Sequence, residues 1–289
     1  MTRRALVVRH SGRPEALEAT DAVLHALREA GVEPVTATQD TRAQELPDVE
    51  LAVVLGGDGT ILRAAELTRG SDVPMLGVNL GHVGFLAEIE RADVETAVQR
   101  LTAGDYDVEE RATLEVRVLS PDGTVHHDWA LNEAALEKTD PARMIEVVVE
   151  VDGRPLSSFG CDGLVAASAS GSTAHAFSAG GPVVWPDVRG TVMVPLAAHT
   201  LFARPLVMGP SSVLAVELID RSSSTAVVTC DGRRQTAVGR GARLEVRVSD
   251  VPVRFARLNP APFVTRLVQK FDLPVVGWRG ARDDEDGAR

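Results

Sequence analysis

The sequence predicts an α/β protein in two parts, a parallel sheet flanked by helices and then a β-rich region of antiparallel strands. Three observations carry this. Through about Arg111, apolar runs alternate with amphipathic helical stretches, the pattern that builds a parallel sheet. After Arg111, apolar and polar residues alternate singly and the chain turns at Pro-Asp-Gly and Val-Asp-Gly, as antiparallel strands do. Finally, residues 51–55 form an almost unbroken apolar run that ends in Gly56, Gly57, Asp58, Gly59 and Thr60. A run of that kind is a central strand covered on both faces, so its glycine-rich loop lies at the carboxyl end of the sheet, where open α/β folds bind ligands.

Taken in order, "RALVVRH" reads as a strand, "EALEATDAVLHALREAG" as a helix with apolar residues at helical spacing, and "EPVTAT" and "ELAVVLGG" as strands. "TILRAAELTRG" and "RADVETAVQRLTAG" are helical, with the strand "VPMLGVN" between them. The β texture then runs through "ATLEVRVLSPDGTVHHDWALNEAAL", "MIEVVVEVDGRPLSSF", "SSVLAVELID", "STAVVTCDG" and "GARLEVRVS", and "PAPFVTRLVQKF" is helical again, expected to pack back on the first part. The expected division is an α/β domain at 1–110 joined by the terminal segment 259–289, and a β-rich domain at 111–258. The charged ending "ARDDEDGAR" is expected to fray. No repeat of 20 to 50 residues is present.

The chain has 289 residues, a formal net charge of −11 and a composition that is 44% hydrophobic, with a pI near 5.1. That balance argues against a phosphate-neutralising nucleic-acid surface and against adhesion to an anionic membrane, and favours a small-molecule partner. Cys161 and Cys230 are too few for a disulfide framework and lack zinc-ligand spacing, so a reducing, cytoplasmic setting is expected. "MTRRALVV" is too short an apolar run for a secretory signal, and no apolar stretch reaches membrane-spanning length.

The loop itself reads as a phosphate site. Its glycines let a ligand approach bare backbone amides, and Thr60 is expected to cap a helix beginning at Ile61, whose start attracts anions. The only lysines are Lys138 and Lys270, and neither sits in GxxxxGK[ST]; no strand is followed by GxGxxG. Asp58 is the distinctive residue. A carboxylate among phosphate-facing amides is electrostatically wrong unless it handles a proton or a divalent cation, so the choices are a general base for an attacking hydroxyl, a magnesium partner, or a turn residue bonding its own backbone.

Two more constellations stand out. Asn132 and Glu133 in "WALNEAAL" offer a donor and several acceptors, a set that suits a vicinal diol such as a ribose, or else a solvated strand edge. "CDGLVAASASGSTAHAFSAGGPVVWP" is uncharged from Gly163 to Pro186 and rich in small and hydroxyl residues. It reads better as a close-packed wall lined by Ser170, Thr173, Ala174 and Ser178 than as a flexible linker. His126 and His127 read as an exposed hairpin, and His82 either as a residue facing a ligand or as part of a tight turn that Gly81 and Gly84 alone would explain. Arg63 and Arg143 deserve note because a lysine-poor phosphate site must recruit arginine.

Together "GGDGTILRAA", "GVNLGHVGFLAE", "LNEAAL", the 161–186 stretch, "PLAAHTLFARPLV" and "FVTRLVQKFDLPVVGWRG" resemble the ATP-dependent NAD kinases, especially those of actinobacteria, over nearly the whole chain. The resemblance implies a Rossmann-like N-terminal domain, a C-terminal β-sandwich, and a site between them where the 2′-hydroxyl of the NAD adenosine ribose attacks the γ-phosphate of ATP. It implies Asp58 as proton acceptor and Gly57, Gly59 and Thr60 as the phosphate loop. Asn132 and Glu133 would hold NAD ribose and amide groups, and Asp162, Thr173, Ala174 and Ser178 would line nucleoside pockets. Arg63 and Arg143 match basic NAD contacts, and Phe85 a residue near adenine. It also implies magnesium or another divalent cation and a homodimer or homotetramer; no metal ligand is assigned. The family usually reads Thr-Pro-Thr-Gly-Ser-Thr-Ala-Tyr where this chain has Ser168, Ala169, Ser170, Gly171, Ser172, Thr173, Ala174 and His175. His175 replaces an apolar face by a group able to titrate near neutrality, and "PLAAHT", which places His199, lacks the polar residues of close relatives. A lipid or sugar kinase with the same loop and a non-catalytic NAD(P)-binding sensor are the competing readings.

Overall fold

In the computed structural model, which describes residues 2–10, 14–38, 40–80, 84–90, 93–259 and 262–275, the apolar runs of the first part line up as a parallel sheet. The chain passes through β1 (Arg4–Arg9), α1 (Pro14–Glu29), β2 (Glu33–Ala37), β3 (Leu51–Leu55), α2 (Asp58–Thr68) and β4 (Met75–Asn79). It continues through β5 (Ile89–Glu90), α3 (Val94–Ala103) and β6 (Asp107–Arg111). β3 and β4 are buried at every position, as central parallel strands covered on both faces must be. α1 and α3 cover one face of this sheet, and α2 covers the other.

The second part is a β-sandwich. Its strands are β7 (Leu114–Leu119), β8 (Val125–Ala130), β9 (Glu133–Lys138), β10 (Ile145–Val151), β11 (Arg154–Cys161) and β12 (Gly163–Ala167). After α4 (His175–Ser178) follow β13 (Thr191–Leu196), β14 (Leu206–Met208), β15 (Leu214–Leu218), β16 (Ala226–Cys230), β17 (Arg234–Val238) and β18 (Arg243–Val248). They form two six-stranded antiparallel sheets, ordered β11-β10-β15-β18-β7-β8 and β14-β13-β12-β9-β16-β17. Alternate residues of both sheets, among them Val116, Leu136, Val147, Leu164, Val216, Val228 and Leu244, close the core between them. Asp152 and Gly153 both have positive φ at the β10–β11 turn, the backbone a two-residue hairpin needs.

The chain comes back to the first sheet at β19 (Val253–Arg257), inside the segment that alternation alone assigns to the β-rich part. β19 pairs antiparallel with β6 and touches β4 through Phe255 and Met75. "VPVRFAR" alternates like the sandwich strands before it, so periodicity cannot say which sheet it will join. α5 (Phe263–Phe271) follows. The crossing positions the site: the apolar layer under α2 also takes in Leu131 and Trp129 from the sandwich, so the helix that carries Asp58 is wedged between the two parts.

Candidate active site

α2 begins at Asp58 with Gly57 as its N-cap, one turn earlier than expected. Thr60 therefore does not cap a helix at Ile61. It is a buried residue of the first turn, its amide donating to the Gly57 carbonyl at 2.9 Å. Its hydroxyl packs on Gly56, where a Cβ would come within 2.3 Å of Thr60 Oγ1. Helix propensity at a Gly-Asp-Gly start is weak, but the amides of the first turn and the macrodipole make this end an anion site whichever residue caps it.

Asp58 does not fold back on its own loop. Its Oδ2 accepts from the Phe85 amide and its Oδ1 from the Leu86 amide, both at 3.2 Å. The approach is close enough that a Cβ on Gly84 would lie 2.5 Å from Asp58 Oδ1. Two backbone donors thus orient the carboxylate, and among the described residues they are its hydrogen-bond donors. Beside it opens a cavity of about 400 Å³ that meets Gly57, Gly59 and Thr60 and is rimmed by Arg9, His10, Arg63 and Arg233. Three guanidinium groups facing one carboxylate suit an anionic, phosphate-rich ligand. Arg63 is held there by Glu66 at 2.8 Å and by the Thr41 carbonyl. Arg9 and Arg233 were not singled out in the sequence, because neither lies near a glycine-rich motif; they reach the cavity from the end of β1 and from the β16–β17 turn.

Asn132 and Glu133 sit at the start of β9, Asn132 buried and Glu133 partly buried, rather than on a solvated edge. Asp231 builds their backbone: its carboxylate accepts from the amides of Leu131 at 2.9 Å, Asn132 at 2.7 Å and Glu133 at 3.3 Å. Asp231 has a φ of 51° in the β16–β17 turn. Among the described residues, Asn132 Oδ1 and Glu133 Oε2 are buried without a hydrogen-bond partner, acceptors that a bound ligand would satisfy. Burial, and next the charge of Asp231, push the Glu133 carboxyl up to about 7, against the opposing pull of the His175 amide.

The 161–186 stretch is ordered structure and not a linker. Ser170–Thr173 forms a 3-10 turn that leads to α4. Gly171 lies flat on the Asn132 peptide, where a Cβ would come within 2.0 Å of the Asn132 carbonyl oxygen. Ser172 is buried and bonds the Ala169 carbonyl at 2.7 Å and the Val184 amide at 2.9 Å. Ser170 is buried, Thr173, Ala174 and His175 are partly buried, and Ser178 is exposed. Ser170 to His175 thus stand beside Asn132 and Glu133.

The Asn132 corner and α2 are tied together by charge. Arg234 pairs with Glu66 of α2 at 2.8 Å, with Asp128 at 2.9 Å and with Asp231 at 3.3 Å. Burial works against its charge, but Asp128, Asp231 and Glu66 outweigh it and raise its pKa. Arg69 and Arg234 both lie over the Trp129 ring, 4.6 and 4.7 Å from its centroid.

Two expected site residues lie elsewhere. Asp162 pairs with Lys138 at 2.7 Å, and Arg143 makes a long contact of 3.5 Å with Asp140. Both belong to the far end of β9, five residue steps from Glu133, or about 17 Å along a strand. Phe85 places its backbone on Asp58 and its ring against Phe263 and Phe271. His82 lies outside the described residues.

Comparison with known proteins agrees with this architecture. The ATP-NAD kinase N-terminal domain matches residues 6–106 and the ATP-NAD kinase C-terminal domain residues 131–258. An NAD kinase of Leifsonia xyli is 55% identical over 96% of this chain and 97% of its own length. The chain belongs to the NAD kinase family. An NAD kinase of Thermobifida fusca is 49% identical, over 98% of this chain and 94% of its own. Among solved structures, an Archaeoglobus fulgidus NAD kinase in complex with ATP superposes with a TM-score of 0.73 at 29% identity, covering 93% of this chain and 97% of its own. Yeast NADH kinase complexed with NADH shares the fold, with a TM-score of 0.83 at 20% identity over 93% and 87% of the two chains. NAD kinases carry a parallel-sheet domain and a β-rich domain, and this chain does too.

Proposed function

We propose that the protein transfers the γ-phosphoryl group of ATP to the 2′-hydroxyl of the adenosine ribose of NAD, giving NADP. The observation that carries the proposal is the placement of Asp58, held by two amides at the mouth of an arginine-rimmed cavity on a helix N-terminus. Phosphoryl transfer needs mostly positioning and charge stabilisation, because its transition state is loose and the nucleophile's proton leaves late. The amides of Gly57, Gly59 and Thr60, with Arg9, Arg63 and Arg233, hold the phosphates. Asp58 accepts the proton of the attacking hydroxyl, and the vacant acceptors of Asn132 and Glu133 fix the ribose that carries it. Ser170, Thr173, Ala174 and His175 line the nucleoside, and Ser178 lies at the rim.

Among the described residues no group of three or more His, Cys, Asp or Glu side chains converges as a metal cage. The Asp58 carboxylate lining the cavity is an oxygen donor of the kind a nucleotide-borne magnesium ion takes, since Mg²⁺ keeps waters and phosphate oxygens and needs few protein ligands. When bound it neutralises phosphate charge. We also propose a cytoplasmic homodimer or homotetramer. Both cysteines are free and buried, which supports a reducing compartment, and Leu201, Phe202 and Val207 leave large apolar side chains exposed for a second copy to cover. Among the described residues no helix is long and apolar enough to cross a membrane.

The test is NADP formation by the purified protein with NAD, ATP and magnesium, read by a coupled NADP-specific dehydrogenase. Formation at enzymatic rates is expected. Turnover with diacylglycerol or a sugar phosphate but not NAD, or tight NAD binding without turnover, would replace the proposal by a lipid or sugar kinase, or by a sensor.

A further inference from the structure

We propose that Arg266 of α5 is a positioning residue for Asp58, acting through the peptide group that joins Phe85 to Leu86. The proposal rests on the reading of Asp58 as proton acceptor. Arg266 Nη1 donates to the Phe85 carbonyl at 3.0 Å, and the amide of that same peptide group, Leu86 N–H, donates to Asp58 Oδ1 at 3.2 Å. A guanidinium, one peptide unit and the carboxylate therefore form a single chain of hydrogen bonds. In such a chain each donor polarises the next, so the charge of Arg266 strengthens the amide's hold on Asp58.

The surroundings support a role beyond packing. Arg266 is 8% exposed and occupies the inner face of α5 with Phe263, Leu267 and Phe271, a position that apolar side chains normally fill. Among the described residues no carboxylate lies within ion-pair distance of it, and its one hydrogen bond is to Phe85. A buried cation directed at a single carbonyl is costly for stability alone. Burial, with Arg257 adding repulsion, lowers its pKa to about 10, so it stays protonated at neutral pH. The next carbonyl, that of Leu86, accepts from Arg257 at 3.2 Å. Rings clamp the same segment, with Phe85 5.9 Å from Phe263 and 5.8 Å from Phe271. The C-terminal helix thereby fixes the loop that aims the carboxylate.

The experiment compares Arg266→Met, Arg266→Lys, Asp58→Asn and the double variant Arg266→Met/Asp58→Asn, with NADP formation and thermal unfolding measured on each full-length protein. Methionine fills the space without the charge. For Arg266→Met the expected result is a kcat roughly 10- to 100-fold lower, with KM for NAD and ATP within about twofold and Tm within about 3 °C of wild type. Arg266→Lys recovers most of the rate, and the Met substitution costs nothing further in the Asp58→Asn background. A normal kcat in Arg266→Met, or an equal loss with and without Asp58, would overturn the proposal. Should Arg266→Met not fold, Arg266→Gln, which removes the charge and keeps polar donors, takes its place: a kcat clearly below that of Arg266→Lys supports the proposal, and a normal kcat contradicts it. Near-normal turnover by Asp58→Asn would overturn the reading of Asp58 itself, and the proposal with it.

Discussion

The two ends of β9 carry similar residues and treat them differently. At Glu133 the strand starts among buried polar groups: Asp231 holds three amides, Arg234 ties that carboxylate to Glu66 and Asp128, and acceptor atoms of Asn132 and Glu133 are left open. At Lys138 it ends in an ion pair with Asp162, whose side chain is 43% exposed, near an Arg143 side chain that is 63% exposed. Buried, fully connected polar groups cost much to leave unpaired, whereas solvated ion pairs contribute little. The near end is therefore the one where a bound ligand would satisfy buried acceptors, and within one chain it is the end that is tied to α2.

If that contrast is right, the largest loss of stability comes from Asp231→Ala. It strands two buried amides and one part-buried amide and leaves Arg234 short of a counter-charge, so unfolding is expected about 3–5 kcal/mol easier, measured by denaturant titration. Asp231→Asn tolerates the positive φ and keeps some of the acceptors, so it should lose clearly less. Equal losses would mean that backbone geometry, and not the carboxylate, holds the Asn132 corner.

A smaller effect, but one with a sign, belongs to Glu133. Its carboxyl titrates at about 7 in the folded chain and at roughly 4.3 unfolded, so the folded state binds the proton more tightly. This group's contribution to stability is thus largest at low pH and falls as pH rises from about 4.3 to about 7. Glu133→Gln should raise Tm over wild type at pH 8 and hardly at pH 5. Wild-type KM for NAD should fall as pH rises through 7 and the carboxylate forms, and the Gln variant should show a flat KM, roughly tenfold higher at pH 8. A pH-independent wild-type KM would place NAD elsewhere.

The smallest effect is at the far end. Lys138→Gln removes a part-exposed ion pair, and a change in stability within about 1 kcal/mol is expected by the same titration.

The strand and helix order was legible because period-2 and period-3.6 patterns are local, and the Gly-Gly-Asp-Gly-Thr loop was legible because a buried strand must deliver it to the sheet's end. Thr60 was misplaced because capping preference says little where three glycines compete with tertiary packing: its hydroxyl is directed onto Gly56. Asp231 was hidden in plain sight. In "CDG" it reads as a turn residue, and it is one, yet the same carboxylate serves amides about a hundred positions earlier in the chain. Arg234 and Arg266 act over similar separations. The one local trace was Arg266 itself, a charge within the apolar stripe formed by Phe263, Leu267 and Phe271, and a charge in such a stripe asks for a partner. Asp162 and Arg143 show the converse, since motif order groups them with Asp58 while the strand separates them.

The measurement that bears most directly on this account is kcat for NADP formation by Asp58→Asn and Asp162→Asn side by side, with NAD binding by calorimetry on both. The account predicts that Asp58→Asn loses turnover by about 10²- to 10⁴-fold while still binding NAD, and that Asp162→Asn keeps its kcat. Near-normal turnover by Asp58→Asn would contradict it.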